Sequence, residues 1–177
     1  LINNAVVPTP QGLYFNGATS YLRSKEQVTL PDVFTFRATV LCAVKTANQV
    51  LFAQGTYSAT PFLWLYRYKS TNDLYIRGSD GTQAIVVQNV LNFFTGLDNT
   101  NIEIEATFDF INKTVDLYRN KVKFGSTLSL GTMVKPVSDN IYIGNSEALN
   151  FSLLGYMRNI QLFDTALTDT QRNWLAQ

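Results

Sequence analysis

The stretch Asn101-Ile-Glu-Ile-Glu-Ala-Thr-Phe-Asp-Phe-Ile-Asn-Lys-Thr-Val-Asp-Leu-Tyr-Arg-Asn120 decides the fold class. Ile102, Ile104, Ala106, Phe108 and Phe110 fall on one face and Glu103, Glu105, Thr107 and Asp109 on the other. That is the side-chain period of a half-buried strand. The polar turn Ile111-Asn-Lys-Thr114 interrupts the alternation. Beyond it Val115, Leu117 and Arg119 alternate with Thr114, Asp116, Tyr118 and Asn120, which predicts the return strand of a hairpin.

Strands with turn signals extend outward in both directions. Residues 12–23 read as two strands around a tight Asn16-Gly17 turn, and residues 28–30 are stopped by Pro31-Asp32. Residues 34–44 form a long alternating strand, followed by strands at 49–54 and 62–68. The next, 73–77 and 84–90, are separated by a Gly78-Ser-Asp-Gly81 turn. After the hairpin, 141–143 and 154–163 complete the set. Thr168 with Gln171 three residues on predicts a capping box, and Trp174 and Leu175 are expected to dock the helix on the sheets. Residues 1–11 read as an extended, proline-broken lead-in cut from a longer protein. The expectation is all-β, a two-sheet antiparallel sandwich of jelly-roll topology with one short C-terminal helix, in a single domain over residues 1–177.

Composition narrows the chemistry. A formal charge of +1 with 15% charged residues supplies no basic stripe, so nucleic acid is not an expected partner. There is no histidine, which removes Ser-His-Asp and Cys-His nucleophilic sites and imidazole zinc sites. Cys42, the one cysteine, sits in register with Phe34, Phe36, Ala38 and Val40 and is expected in the core. No apolar run is long enough to span a membrane.

Three motifs carry a family resemblance. Leu13-Tyr-Phe-Asn-Gly-Ala-Thr-Ser-Tyr21, the hairpin of residues 104–120, and Gly155-Tyr-Met-Arg-Asn-Ile-Gln-Leu-Phe-Asp-Thr-Ala-Leu-Thr-Asp169 resemble the opening strands, central hairpin and closing strand of the laminin-G-like jelly rolls. These belong to the concanavalin A-like lectin and glucanase superfamily. The chain departs from the family pattern at Asn101-Ile-Glu103, where members often carry Trp-x-His, and at Arg158-Asn159, where members often carry an acidic residue. The pentraxin branch implies a calcium site at Asn72, Asp73, Asn145 and Glu147. Calcium takes six to eight oxygens, and these four residues carry few carboxylates. No cofactor is therefore expected to be required, with Ca2+ as an option.

Glycoside hydrolysis in this superfamily uses paired carboxylates. Glu103 and Glu105 lie two residues apart on one strand face, roughly 7 Å by strand rise. The pattern lacks the central Asp and final Glu of the glucanase motif, and the face reads as an ordinary solvated one, so no catalytic residue is assigned. The stripe Phe62, Trp64, Tyr66, Tyr68 is the ligand-binding candidate, with Trp64, Tyr66 and Tyr68 as its members, because alternating rings form a platform for sugars or protein side chains. If the stripe faces the core, it is packing instead. The leading expectation is a non-catalytic, lectin-like module that binds a glycan or a protein surface, outside the cell, on a cell surface or on a virion. The alternative is a decoration or connector module of a larger viral, phage or extracellular assembly, with glycoside hydrolase third.

Overall fold

The computed structural model describes residues 2–43, 47–55, 61–69, 71–82, 85–146 and 151–175. In chain order the first strands are β1 (Ile2–Asn4), β2 (Val7–Thr9), β3 (Gly12–Asn16), β4 (Tyr21–Arg23), β5 (Val33–Cys42), β6 (Gln49–Gln54), β7 (Leu63–Arg67) and β8 (Leu74–Ser79). There follow β9 (Ile85–Val90), β10 (Ile102–Asp109), β11 (Thr114–Arg119), β12 (Val122–Lys123), β13 (Leu128–Ser129), β14 (Ile141–Ile143) and β15 (Leu154–Phe163), then helix α1 (Asp169–Trp174). They build two antiparallel sheets. One runs β1-β4-β14-β6-β7-β8-β9; the other runs β12-β11-β10-β5-β15-β3-β2, with β13 on β11. This is the expected all-β jelly-roll sandwich with one short C-terminal helix.

Between the sheets lies a core set by period two. Phe34, Phe36, Ala38, Val40 and Cys42 of β5 and Ile102, Ile104, Ala106 and Phe108 of β10 all point inward and are buried. Phe34 stacks on Phe108 at 4.9 Å between ring centres, and Phe36 meets Phe52 of the opposite sheet at 5.2 Å. Burial pushes the Cys42 thiol up to about 12, so it behaves as a small apolar side chain. The hairpin pairs Ile104 with Arg119 through Asp109 with Thr114, as its alternation predicts. Asp109 closes the turn by accepting hydrogen bonds from the backbone N–H groups of Asn112 (2.8 Å) and Ile111 (2.9 Å).

Several local expectations are corrected. The tight Asn16-Gly17 turn forms as expected, with Gly17 at a φ of 71°, but the strands it joins, β3 and β4, belong to different sheets, so it carries the chain across the sandwich. Asn16 Oδ1 holds it by accepting from the backbone of Ala18, Thr19 and Ser20. The lead-in is structured, since β1 pairs with β4 and β2 with β3. The turn expected at residues 78–81 starts later, because β8 runs through Ser79. Gly78 serves close packing there: a Cβ at that position would lie 2.6 Å from Cγ and Sδ of Met133. The predicted ends of strands 34–44 and 84–90 at Val44 and Ala84 lie outside the described residues.

The outer face of the eight-stranded sheet is not solvated as expected. The segment after β15 and helix α1 fold over it, and α1 begins with the predicted capping box of Thr168 and Gln171. The helix docks through Arg172 rather than through Trp174, whose side chain is 76% exposed. Arg172 reaches Glu105 at 2.8 Å, donates to Leu167 O at 2.9 Å, and its guanidinium lies 3.6 Å from the centre of the Tyr118 ring. Glu105 is only 1% exposed. Beside this pair Arg37 binds Glu103 at 2.8 Å, and Thr35 bonds both Thr107 and Thr165 O.

Removing one partner of a buried ion pair strands the other, so Arg172→Ala is expected to cost about 3–5 kcal/mol in urea unfolding. Trp174→Ala is expected to stay within about 0.5 kcal/mol. Hydrogen bonding, chiefly from the Asn112 backbone, holds the Asp109 carboxyl below the usual carboxylate range. Its contribution to stability is present above the ordinary Asp value of about 3.9 and is lost as pH falls through the lower folded value. The stability advantage of wild type over Asp109→Asn is therefore expected to shrink as pH drops below about 4.

Candidate functional site

The seven-stranded sheet has a different outer face. Its cross-strand register aligns one row as Arg23, Tyr142, Ala53, Trp64, Arg77 and Val87. A neighbouring row aligns Val50, Tyr66, Tyr75 and Asn89. Leu63 and Leu65 of β7 take the inward positions, so the stripe Phe62, Trp64, Tyr66, Tyr68 turns away from the inter-sheet core. The stripe forms a second apolar cluster of its own, with Val50, Ala53 and Tyr142.

Depth varies along the stripe. Trp64 is 1% exposed and Tyr66 2%. Trp64 donates from Nε1 to Gly55 O at 3.1 Å, and Phe151 covers both rings, edge-on to Trp64 at 5.5 Å and stacked on Tyr66 at 6.2 Å. Tyr68 is half-buried and stacks on half-buried Tyr75 at 4.6 Å. Lys69 Nζ lies 5.1 Å from the centre of the Tyr68 ring. Arg77 hydrogen-bonds Tyr66, and exposed Val87 and Asn89 border the rings on β9. Burial first, then the negative charge of Asp73, raises the Tyr75 phenol above its usual value; burial likewise raises Tyr66. Both stay protonated at neutral pH and keep an O–H to donate.

Tyr75 and Arg77 join this face through the register of β8, and the alternation Asp73, Tyr75, Arg77 against Leu74, Ile76 is the signal that marks them. Phe151 arrives from the connection before β15, where no local pattern announces it.

The calcium candidates are engaged elsewhere. Asn72 Oδ1 accepts from Arg67 at 3.2 Å, and Asp73 Oδ1 accepts from the Asn92 backbone at 3.0 Å. Asn145 is fully buried, donates to Ser152 Oγ at 2.7 Å and accepts from Ser146 N at 2.8 Å. Strands β6 and β7 separate the β14 end near Asn145 from the β8 start near Asn72 and Asp73. That is three strand spacings, roughly 14 Å. Glu147 lies outside the described residues. Among the described residues no group of three or more acidic, Cys or His side chains is placed to hold a metal, and Asn72, Asp73 and Asn145 do not fit a shared calcium cage. On the other sheet, Glu103 and Glu105 point at Arg37 and Arg172 rather than at a cleft between them.

With this architecture in place, the chain belongs to the concanavalin A-like lectin/glucanases superfamily, its residues 16–171 matching the laminin-G model of that superfamily. No curated protein matches it by sequence. Among solved structures it is similar to the heptameric SAP-like pentraxin of Limulus polyphemus, with a TM-score of 0.66 and 15% identity over 93% of this chain and 80% of that one. It is also similar to the ligand binding domain of Botulinum neurotoxin serotype D in complex with N-acetylneuraminic acid (TM-score 0.72, 10% identity, 99% of this chain). The chain spans 44% of that domain. A third is the CBM40 of Ruminococcus gnavus IT-sialidase, at TM-score 0.63 and 15% identity over 88% of this chain and 99% of that one. These likenesses establish the fold.

Trp64→Ala is expected to cost about 3–5 kcal/mol in chemical unfolding, the range for removing a buried aromatic. Tyr75→Ala, at the half-buried end, is expected to cost clearly less, so the two melts separate the foundation of this face from its surface.

Proposed function

We propose that this chain is a non-catalytic, lectin-like module that binds carbohydrate on the outer face of its seven-stranded sheet. The observation that carries the reading is the stacked Tyr68–Tyr75 pair, set on a buried layer of Trp64 and Tyr66 and bordered by Arg77 and Asn89. Rings held flat from below lose little freedom when a sugar ring rests on them, and phenol, guanidinium and amide groups at the edge supply hydrogen bonds to hydroxyls. Trp64 and Tyr66 support the platform, and Tyr68 and Tyr75 meet the ligand. The complex of a similar fold with N-acetylneuraminic acid, and the occurrence of another in a sialidase, support a glycan as the ligand. The reading takes no catalysis, since Glu103 and Glu105 serve ion pairs, and no required calcium. It places the module on a cell surface, a secreted protein or a virion.

A second reading, a connector or decoration module in a larger assembly, is favoured by exposed Trp174, next to Leu175 on the opposite side of the sandwich. Monomers seldom leave a large apolar patch uncovered.

A glycan array with and without calcium tests both. The expected outcome is a specific signal, independent of calcium, that falls about tenfold or more in Tyr68→Ala and Tyr75→Ala, equivalent to about 1.4 kcal/mol. The melting temperature is expected to be unchanged by chelator. A blank array together with self-association on sizing, abolished by Trp174→Ala, overturns the lectin reading in favour of the assembly.

A further inference from the structure

A cleft of about 580 Å³ opens between the two sheets, away from the tyrosine face. It opens where β15 outruns its neighbour β3 in the eight-stranded sheet. β15 pairs with β3 only as far as Met157 opposite Leu13. Its register on β5 then shifts between Arg158 and Gln161, with Asn159 at a φ of 53°. Because β3 begins at Gly12, the part of β15 beyond the bulge has no β3 neighbour. Phe36 and Met157 line one wall, Leu22, Phe52 and Ile143 the other, and Ile160 lines the cleft from the bulge of β15.

The walls are apolar and the mouth is not. Ser24 lines the opening, and its Oγ accepts from Ile141 N at 3.0 Å and from Asn140 Nδ2 at 3.2 Å. Both bonds use its lone pairs, so the hydroxyl hydrogen is left to donate. Thr9, Arg158, Asn159 and Gln161 add further polar groups to the lining.

The width restricts what can enter. Packed sheets lie about 10 Å apart, and a helix with side chains is about 10–12 Å across, so no helix fits between them. A strand laid along the open edge of β15 beyond Met157 would extend the eight-stranded sheet in its own plane, and one inserted between the sheets would bury its N–H and C=O groups against apolar walls. A volume of this size lies within the range of small-molecule sites, and apolar walls facing empty space forgo their dispersion contacts. We infer that this cleft binds a thin, predominantly apolar small molecule with one hydrogen-bond-accepting end, the apolar body between the sheets and the acceptor at Ser24.

The test is a fluorescence titration of the full chain with prodan, an apolar naphthalene ketone with a carbonyl acceptor, alongside sizing. Leu13→Trp and Ile160→Trp are the variants, chosen to fill the cleft from β3 and from the bulge of β15. The expected result is saturable binding of one prodan per chain with blue-shifted emission, weakened at least tenfold in both variants while their melting temperatures stay at or above that of wild type. Should Leu13→Trp fail to fold, Ile160→Trp decides. Unchanged binding in a folded variant, or no saturable binding to wild type, overturns the inference. So does a wild-type dimer that becomes a monomer in the variants, because a second copy then covers the cleft. Glycan binding is read separately on the same proteins, and its presence or absence leaves this outcome untouched.

Discussion

Everything in this sandwich hangs on the antiparallel pairing of β5 with β10, which runs from Ile102 opposite Val40 to Asp109 opposite Val33. Because side chains alternate along both strands, one register sets two chemistries at once. Inward it stacks Phe34 on Phe108 and seats Ala38 by Ile104; outward it lays Arg37 beside Glu105 and Thr35 beside Thr107. A slip of one residue would send the phenylalanines outward and two glutamates into the core. The inward face supplies the burial and the outward face makes the register unique.

The two sheets solve the problem of their outer faces in opposite ways. The eight-stranded sheet presents charge and covers it, with Arg172 descending from α1 onto Glu105 and Tyr118. The seven-stranded sheet presents rings and covers them only in part, Phe151 closing over Trp64 and Tyr66 while Tyr68 and Tyr75 stay half-open. Charges that are already matched have little left to offer a ligand, whereas aromatic faces with protonated phenols at their edges keep both an apolar and a polar surface in reserve.

Period two made the strands, the hairpin and the burial of Cys42 readable from residue order alone, and the capping box at Thr168 was equally plain because it is a contact across three residues. What escaped depends on partners distant in the chain. Glu105 reads as a solvated carboxylate until Arg172, 67 positions on, is known to lie over it. The Asn16-Gly17 turn has hairpin chemistry, yet β3 pairs with β15 and β4 with β14, and nothing local distinguishes a hairpin from a crossing. The aromatic stripe was visible, but which side of the sheet it served was not, since Leu63 and Leu65 make the opposite side equally apolar. Register, not composition, brought Tyr75 and Arg77 to it.

The position of β15 also constrains the order in which the molecule can assemble. β15 lies between β5 and β3, and β14 lies between β4 and β6, so each sheet is bridged by a strand that follows both of its neighbours in the chain. Until β15 emerges from the ribosome, β3 and β5 face each other across a gap one strand wide, with unpaired edges on both sides. Such long-range closure is slow, and open edges invite pairing with other chains. The growing polypeptide therefore carries these open edges until Phe163 has emerged, and they close only when β15 takes its place between β3 and β5.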